Sequence, residues 1–98
     1  MNLILSDAAE IALRTLGDED RRKVFAWFDY LRNWESDPFV RDRSRRLNGT
    51  GAEDLRVLRT STDLRVFFVL RPDQIEVVDI ARRETLEKVS RASQPARA

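Results

Sequence analysis

Arginine is the residue type with which this chain could do chemistry. Only Lys23 and Lys88 of its 18 basic residues are lysines, and it contains no histidine and no cysteine. Without imidazole and thiol groups there is no histidine general base, no cysteine nucleophile and no structural zinc site. Guanidinium groups bind phosphate and carboxylate oxygens through paired hydrogen bonds, so anion binding is the chemistry to consider.

The basic residues are distributed unevenly along the sequence. Residues 1–40 carry five basic and eight acidic side chains, a net charge of −3. Residues 41–98 carry thirteen basic and nine acidic side chains, a net charge of +4. The C-terminal part is therefore the candidate anion-binding half.

Alternation within a strand predicts which arginines face solvent. In residues 64–70, Val66 and Phe68 share one face of a strand and Arg65 lies on the other. The face without arginine is the one to bury, because an unpaired buried guanidinium is strongly unfavourable. The flanking segments also carry arginines in positions expected to reach the open face. The predicted functional cluster is Arg56, Arg65 and Arg83.

These residues also have structural interpretations. A cross-strand ion pair such as Arg65 with Asp79 would stabilise a solvated sheet by only about 0.2–1 kcal/mol. The basic run at residues 41–46 could grip a phosphate backbone or form a solvated helix face. Trp27 and Trp34 could stack on nucleobases, but their spacing of seven on an apolar stripe favours core packing.

The elements that position the arginines follow from apolar spacing. A strand at residues 2–5 precedes two helices joined at Gly17. The second helix carries apolar residues three and four apart from Val24 to Trp34. The face expected to be buried in the first helix consists of Ala8, Ile11, Ala12 and Leu16. Two such helices form a hairpin that can cover one face of a sheet.

The second half of the chain is predicted to supply that sheet. Residues 36–54 show no strand pattern, but Asp37-Pro38 could begin one or two helical turns and Gly49-Thr50-Gly51 marks a turn. Short connections between three apolar segments predict an antiparallel meander. These strands are expected at residues 55–60, 64–70 and 74–81, and a short final helix is expected from Arg82.

The predicted fold class is α+β, with an N-terminal strand and helical hairpin on an antiparallel-rich sheet and a short C-terminal helix. The 98 residues are expected to form one domain, residues 1–90, followed by a flexible tail at residues 91–98. No apolar run approaches the ~20 residues of a membrane span, and no signal-peptide pattern precedes the domain. A cytoplasmic protein without membrane contact and without a cofactor is expected.

Four sequence features together resemble the RelE/ParE family of bacterial toxins. They are Leu47-Asn48-Gly49, Asp54-Leu55-Arg56-Val57-Leu58-Arg59, Asp63-Leu64-Arg65-Val66-Phe67-Phe68-Val69 and Ile80-Ala81-Arg82-Arg83. The resemblance rests on the order of these features behind a helical hairpin. The resemblance covers Leu3 to about Val89.

The resemblance implies a toxin with a cognate antitoxin. It would be either a RelE-like enzyme that cuts mRNA in the ribosomal A site or a ParE-like inhibitor of DNA gyrase. In the RelE-like interpretation, Arg65 stabilises the phosphorane transition state, Arg83 neutralises phosphate charge or protonates the leaving oxygen, and Arg56 holds the RNA backbone. The further RNA-binding residues are then Arg45, Arg46, Arg59 and Arg82.

Two departures from the family pattern keep alternatives open. Leu58 and Val89 stand where RNA-cutting members often have a basic residue and a tyrosine. No evident general base remains, because arginine is a poor proton acceptor, although Glu84 or Glu87 could substitute. A missing base favours the gyrase inhibitor or an inactive binding module, whereas an open arginine face favours the endoribonuclease.

Overall fold

The computed structural model describes residues 1–47 and 54–83. The elements are β1 (Asn2–Leu5), α1 (Asp7–Thr15), α2 (Asp18–Arg32), α3 (Pro38–Arg43), β2 (Ser44–Arg46), β3 (Leu55–Arg59), β4 (Leu64–Leu70) and β5 (Gln74–Arg82). Among the described residues, no helix is long and apolar enough to cross a membrane. The predicted turn at residues 49–51, the part of the predicted final helix beyond residue 83 and the predicted tail at residues 91–98 lie outside the described residues.

The strands form one five-stranded sheet in the order β1-β5-β4-β3-β2. Strand β1 runs parallel to β5, and the other neighbouring pairs are antiparallel. A parallel pair needs a long crossover, and here the chain from α1 to β4 provides it. The predicted α+β class, the helical hairpin and the three-strand meander are confirmed.

Side-chain caps fix where two of the helices begin. The Ser6 hydroxyl accepts a hydrogen bond from the Ala9 amide at 3.1 Å, which satisfies an amide of the first turn of α1. Asp37 caps α3 in the same way, since its carboxylate accepts from the Phe39 amide at 2.9 Å, and Pro38 occupies the first turn. The predicted helix start at Asp37-Pro38 is therefore confirmed.

Helix α1 buries a different face from the one predicted. Ala9 and Leu13 are buried, whereas Ala8 is exposed and Ile11 is 61% exposed. Both stripes have helical spacing and share Leu16, so apolar periodicity alone does not choose between them. Exchanging Ala8 and Ile11 for Ala9 and Leu13 changes the buried apolar area little, so packing against β5 decides which stripe is buried.

The core lies between the helices and one face of the sheet. Phe28 and Leu31 of α2 pack with Val66 and Phe68 of β4, and all four are almost fully buried. Trp34 is buried too and meets Phe68 edge to face, with ring centroids 5.7 Å apart. The core position predicted for Trp34 and the buried face predicted for β4 are confirmed.

Strand β2 is an element that the sequence analysis does not predict. Ser44, Arg45 and Arg46 have no apolar alternation, and the two arginines are exposed. They form a strand because β3 offers its outer edge, where Ser44 pairs with Leu58 and Arg46 with Arg56. A short, charged edge strand of this kind also protects the sheet from pairing with other chains.

A register shift in β5 determines which of its side chains face the helices. Phe67 pairs with Asp79, but Phe68 pairs with Val77, so Val78 is an extra residue in β5. The shift keeps Asp79 exposed on the open face, whereas strict alternation from Val77 would turn it into the core. Strand β5 also continues through Arg82, where a helix start was predicted.

Candidate functional site

Arg65 lies on the open face of the sheet, the face that the three described helices do not cover. Its register partners are Arg59 on β3 and Ala81 on β5. Its Nη1 donates hydrogen bonds to the carbonyls of Ser61 at 2.9 Å, Leu64 at 3.1 Å and Thr62 at 3.3 Å. Within residues 1–47 and 54–83, no group accepts a hydrogen bond from its Nε or Nη2. The guanidinium is thus fixed along one edge and open along the other.

Three further arginines surround Arg65. Burial is the main cause that lowers the pKa of Arg65, and the charges of Arg59, Arg83 and Arg45 lower it further, while Asp63 opposes them. We call Arg45, Arg59, Arg65 and Arg83 the arginine cluster. Arginine remains protonated at neutral pH, so the cluster concentrates positive charge.

A shallow depression of about 230 Å³ lies over part of this cluster. Its lining consists of Arg43, Arg45, Val57, Arg59 and Arg65. The side chains of Arg45 and Arg59 form no hydrogen bond or ion pair with the rest of the described chain. Like charges placed directly opposite on neighbouring strands are destabilising, as Arg59 and Arg65 are here, so an anion would relieve their repulsion. The depression is suited to a phosphate group.

The turn that orients Arg65 is itself held from two sides. The Trp27 indole donates a hydrogen bond to the Thr60 carbonyl at 3.1 Å, and the Arg83 amide donates to the Asp63 carbonyl at 2.6 Å. Inside the turn, the Ser61 hydroxyl accepts from the amides of Asp63 and Leu64. The carbonyls that bind Arg65 are therefore preorganised before any ligand arrives.

The cross-strand ion pair considered for Arg65 is absent. Asp79 lies across from Phe67 rather than Arg65, and its carboxylate accepts a hydrogen bond from the Ile80 amide at 2.8 Å. Among the described residues, no group of three or more carboxylates is arranged to hold a metal ion.

Arg56 does not lie on the open face, contrary to the prediction. It pairs with Phe68 in register and therefore points to the helix side of the sheet. There its guanidinium lies 5.2 Å from the centroid of the Trp34 ring and donates to Asp54 at 3.0 and 3.2 Å. Strand β3 has apolar residues on both faces, so alternation alone could not assign its sides. Leu58 is buried against the helices, and Arg56 lies on the same face of β3 because it is two residues away.

Arg46 and Arg82 also lie on the helix side, where carboxylates engage them. Arg46 is across from Arg56 and forms an ion pair with Asp54 at 3.5 Å. Arg82 binds Asp63 at 2.6 Å and Asp20 at 3.1 Å, and these hydrogen bonds raise the pKa of Arg82. The structure thus brings four of the seven candidates together and separates Arg46, Arg56 and Arg82 from them.

The sequence analysis did not select Arg43. It lines the same depression as Arg45 and ends α3, so the two arginines reach one place from successive elements. The available sequence signal was that Arg43 and Arg45 are two residues apart in the basic run. This spacing was not informative without the prediction of strand β2.

Arg56→Ala is expected to destabilise the fold and to leave the arginine cluster intact. Loss of the contact with Trp34 and of the half-buried pair with Asp54 should lower the free energy of unfolding by about 1–2 kcal/mol. Urea unfolding measures this change, and Arg59→Ala is the matched control on the open face, expected within about 0.5 kcal/mol of the parent. Equal destabilisation by both substitutions would contradict the assignment of faces.

No protein-family model and no curated protein sequence matches this chain significantly. Solved structures do match it. The archaeal RelE-RelB complex from Pyrococcus horikoshii OT3 matches with 24% identity and a TM-score of 0.66, covering 84% of this chain and 93% of that chain. The E. coli DinJ-YafQ toxin-antitoxin complex matches with 14% identity and a TM-score of 0.69, covering 87% and 94%.

A metal-bound toxin from Helicobacter pylori is similar to the same extent. Its identity is 16% and its TM-score 0.69, and the match covers 88% of this chain and 98% of that chain. At these identities the comparisons establish the fold. The chain has the fold of the RelE and YafQ toxins, which confirms the expected architecture.

Proposed function

We propose that this protein is the toxin of a type II toxin-antitoxin system and acts as a ribosome-dependent mRNA endoribonuclease. The observation that carries the proposal is the arginine cluster, which gathers positive charge on the open face of a sheet. A surface of this kind attracts the RNA phosphate backbone. The likeness to RelE and YafQ structures supports the endoribonuclease over a gyrase inhibitor.

In this proposal each residue of the arginine cluster has its own role in RNA cleavage. The reaction is attack of an RNA 2′-hydroxyl oxygen on the adjacent phosphorus, which forms a 2′,3′-cyclic phosphate, breaks the bond to the 5′ oxygen of the next nucleotide and releases the hydroxyl proton to water. Arg65 stabilises the negative charge of the phosphorane, because the turn carbonyls hold its guanidinium in one orientation. Arg83 neutralises phosphate charge or protonates the leaving oxygen. Arg59 and Arg45, which the sequence analysis names among the RNA-binding residues, hold the backbone in place of Arg56.

We also propose a cognate antitoxin that covers the arginine cluster. The solved RelE and YafQ structures include complexes with RelB and DinJ. An acidic, amphipathic segment would match the charge of the cluster and bury apolar surface beside it. The toxin would then act in the cytoplasm, where its ribosomal target is located.

Expression of the protein alone is expected to stop bacterial growth by stopping translation. After induction, incorporation of labelled methionine should fall before incorporation of labelled thymidine. Co-expression of the protein encoded by the adjacent gene should restore growth if that protein is the antitoxin. Arg59→Ala should relieve the arrest, whereas Arg56→Ala, at equal soluble level, should retain it.

Three results would contradict the proposal. An earlier fall in thymidine incorporation would indicate a gyrase inhibitor of the same fold. Normal growth at high soluble expression would indicate a binding module without activity. Relief of the arrest by Arg56→Ala and not by Arg59→Ala would mean that the arginine cluster is not the site.

A further inference from the structure

An exposed group of aromatic rings lies next to the arginine cluster. The aromatic patch, as we call it, consists of Trp27 and Tyr30 on α2 and Phe39 on α3. The ring of Phe39 stacks on Trp27 with centroids 5.7 Å apart and an interplanar angle of 13°, and Tyr30 lies 5.5 Å from Phe39. Phe39 is 45% exposed and Tyr30 is 42% exposed. Two large rings of the patch thus face solvent side by side.

Packing into the core does not explain the positions of Phe39 and Tyr30. Val40 is the residue of α3 that is buried in the core, whereas its neighbour Phe39 is exposed. Trp27 is partly buried and its indole N–H binds the Thr60 carbonyl. Trp27 therefore forms the base of the patch, and Phe39 and Tyr30 form its outer surface.

Arg43 joins the aromatic patch to the arginine cluster. Its guanidinium carbon lies 5.0 Å from the centroid of Phe39 and 5.4 Å from that of Trp27. The same residue lines the depression shared with Arg45, Arg59 and Arg65. Positive charge and exposed rings thus form one continuous surface, in which a phosphate and a neighbouring base each meet a suitable group.

We propose that the aromatic patch stacks a nucleobase of a single-stranded RNA whose phosphates lie on the arginine cluster. The inference rests on the proposed function and deepens it by naming the form of nucleic acid that the site selects. Charge complementarity selects a polyanion, and exposed rings select one whose bases are unstacked. In a duplex the bases are already stacked and cannot reach Phe39.

The acidic neighbours of the patch indicate where the base lies. Asp29 and Asp37 line a second depression together with Tyr30. Both carboxylates are engaged, Asp29 by Arg32 and Asp37 by the Phe39 amide. Their negative charge still disfavours RNA on that side, so the base is placed over Phe39, next to Arg43.

Binding of two matched oligonucleotides tests this placement. The probes are a fluorescein-labelled RNA hexamer with 2′-O-methyl groups, which prevent cleavage, and an abasic hexamer with the same number of phosphates. Fluorescence anisotropy should show that the wild-type protein binds the base-bearing probe about 5- to 100-fold more tightly. Phe39→Leu, which removes the ring and keeps an apolar side chain, should abolish most of that difference, and Phe39→Trp should restore it.

The control is another exposed phenylalanine outside the patch. Phe25 on α2 is 48% exposed and contacts the ring of Phe28. Phe25→Leu should bind both probes as the wild type does. Tyr30→Leu provides a second patch variant, and urea unfolding of each variant verifies that the fold is retained.

The outcomes separate this inference from the proposed function. Equal, salt-dependent binding of both probes by the wild type, unchanged in Phe39→Leu, overturns the stacking site and leaves the arginine cluster as an RNA site. Binding of neither probe by the wild type overturns the stacking site but not the proposed function, which requires cleavage on the ribosome. Self-association of the wild type that Phe39→Leu abolishes would assign the patch to a second copy of the chain and also overturns the inference.

Discussion

Phe68→Ala is expected to lower the free energy of unfolding by about 3–5 kcal/mol. Phe68 is fully buried in the centre of β4, where it pairs with Val77 and contacts the edge of Trp34. Truncation removes a large apolar side chain from the core and leaves a cavity that the surrounding helices and sheet can fill only in part. Since small domains are stable by roughly 5–15 kcal/mol, this loss is a large part of the total stability.

Urea unfolding of Phe68→Ala and Phe67→Ala measures this effect with a matched control. Phe67 is the adjacent residue on the same strand, but it lies on the open face and is only half-buried. Its truncation should cost clearly less than that of Phe68. A larger loss of stability for Phe67→Ala would mean that the helices cover the opposite face of β4, and the whole assignment of the arginine cluster would fail with it.

Arg65→Ala is expected to reduce the rate of mRNA cleavage about 10²- to 10³-fold, the effect of removing one preorganised donor from a transition state. The fold should persist, because the side chain lies on the open face and its internal hydrogen bonds go to the carbonyls of one turn. Arg65→Lys keeps the charge but not the planar fork, so it should recover only part of the rate.

Single-turnover cleavage of ribosome-bound message, together with urea unfolding, separates the chemical effect from a structural one. Arg56→Ala serves as the reference, since it removes the same side chain from the other face. The account predicts a large loss of rate with little loss of stability for Arg65→Ala and the reverse for Arg56→Ala. Unfolding of Arg65→Ala at temperatures where the parent is stable would make its role structural.

Local periodicity predicts most of the elements and the central residue of the site. Strand β4 has arginine on one side and large apolar residues on the other, so its buried face and the outward position of Arg65 follow directly from alternation. The helices follow from capping residues and apolar spacing. These features are decided by residues close together in the sequence.

The positions of the other arginines of the site depend on the pairing between strands, which alternation within one strand does not specify. In β3, Arg56 and Arg59 are an odd number of residues apart and therefore lie on opposite faces. Apolar residues occupy both faces of that strand, and only contact with the helices shows which face is buried. The edge strand β2, which carries Arg45, depends in the same way on a partner distant in sequence.

The register shift at Val78 is a further feature that sequence alone did not predict. Uninterrupted alternation from Val77 would have placed Asp79 in the core and Arg82 on the open face. The extra residue reverses both positions, so that Arg82 faces α2 and binds Asp20. The charge of Arg83, the next residue, lowers the pKa of Arg65. Adjacent valines, Val77 and Val78, are the only local indication of this bulge in the described strand.

Primer extension on message bound to purified translating ribosomes is the most direct test of the central claim, that the arginine cluster is an RNA-cleaving site. The wild type should produce breaks at the ribosomal A site, Arg59→Ala should lose most of them, and Arg56→Ala should retain them. Arg59 and Arg56 lie on the same strand with opposite faces, so the two variants remove the same side chain from different sides of the sheet. Intact message with the wild type, or breaks that persist in Arg59→Ala and vanish in Arg56→Ala, would contradict the claim.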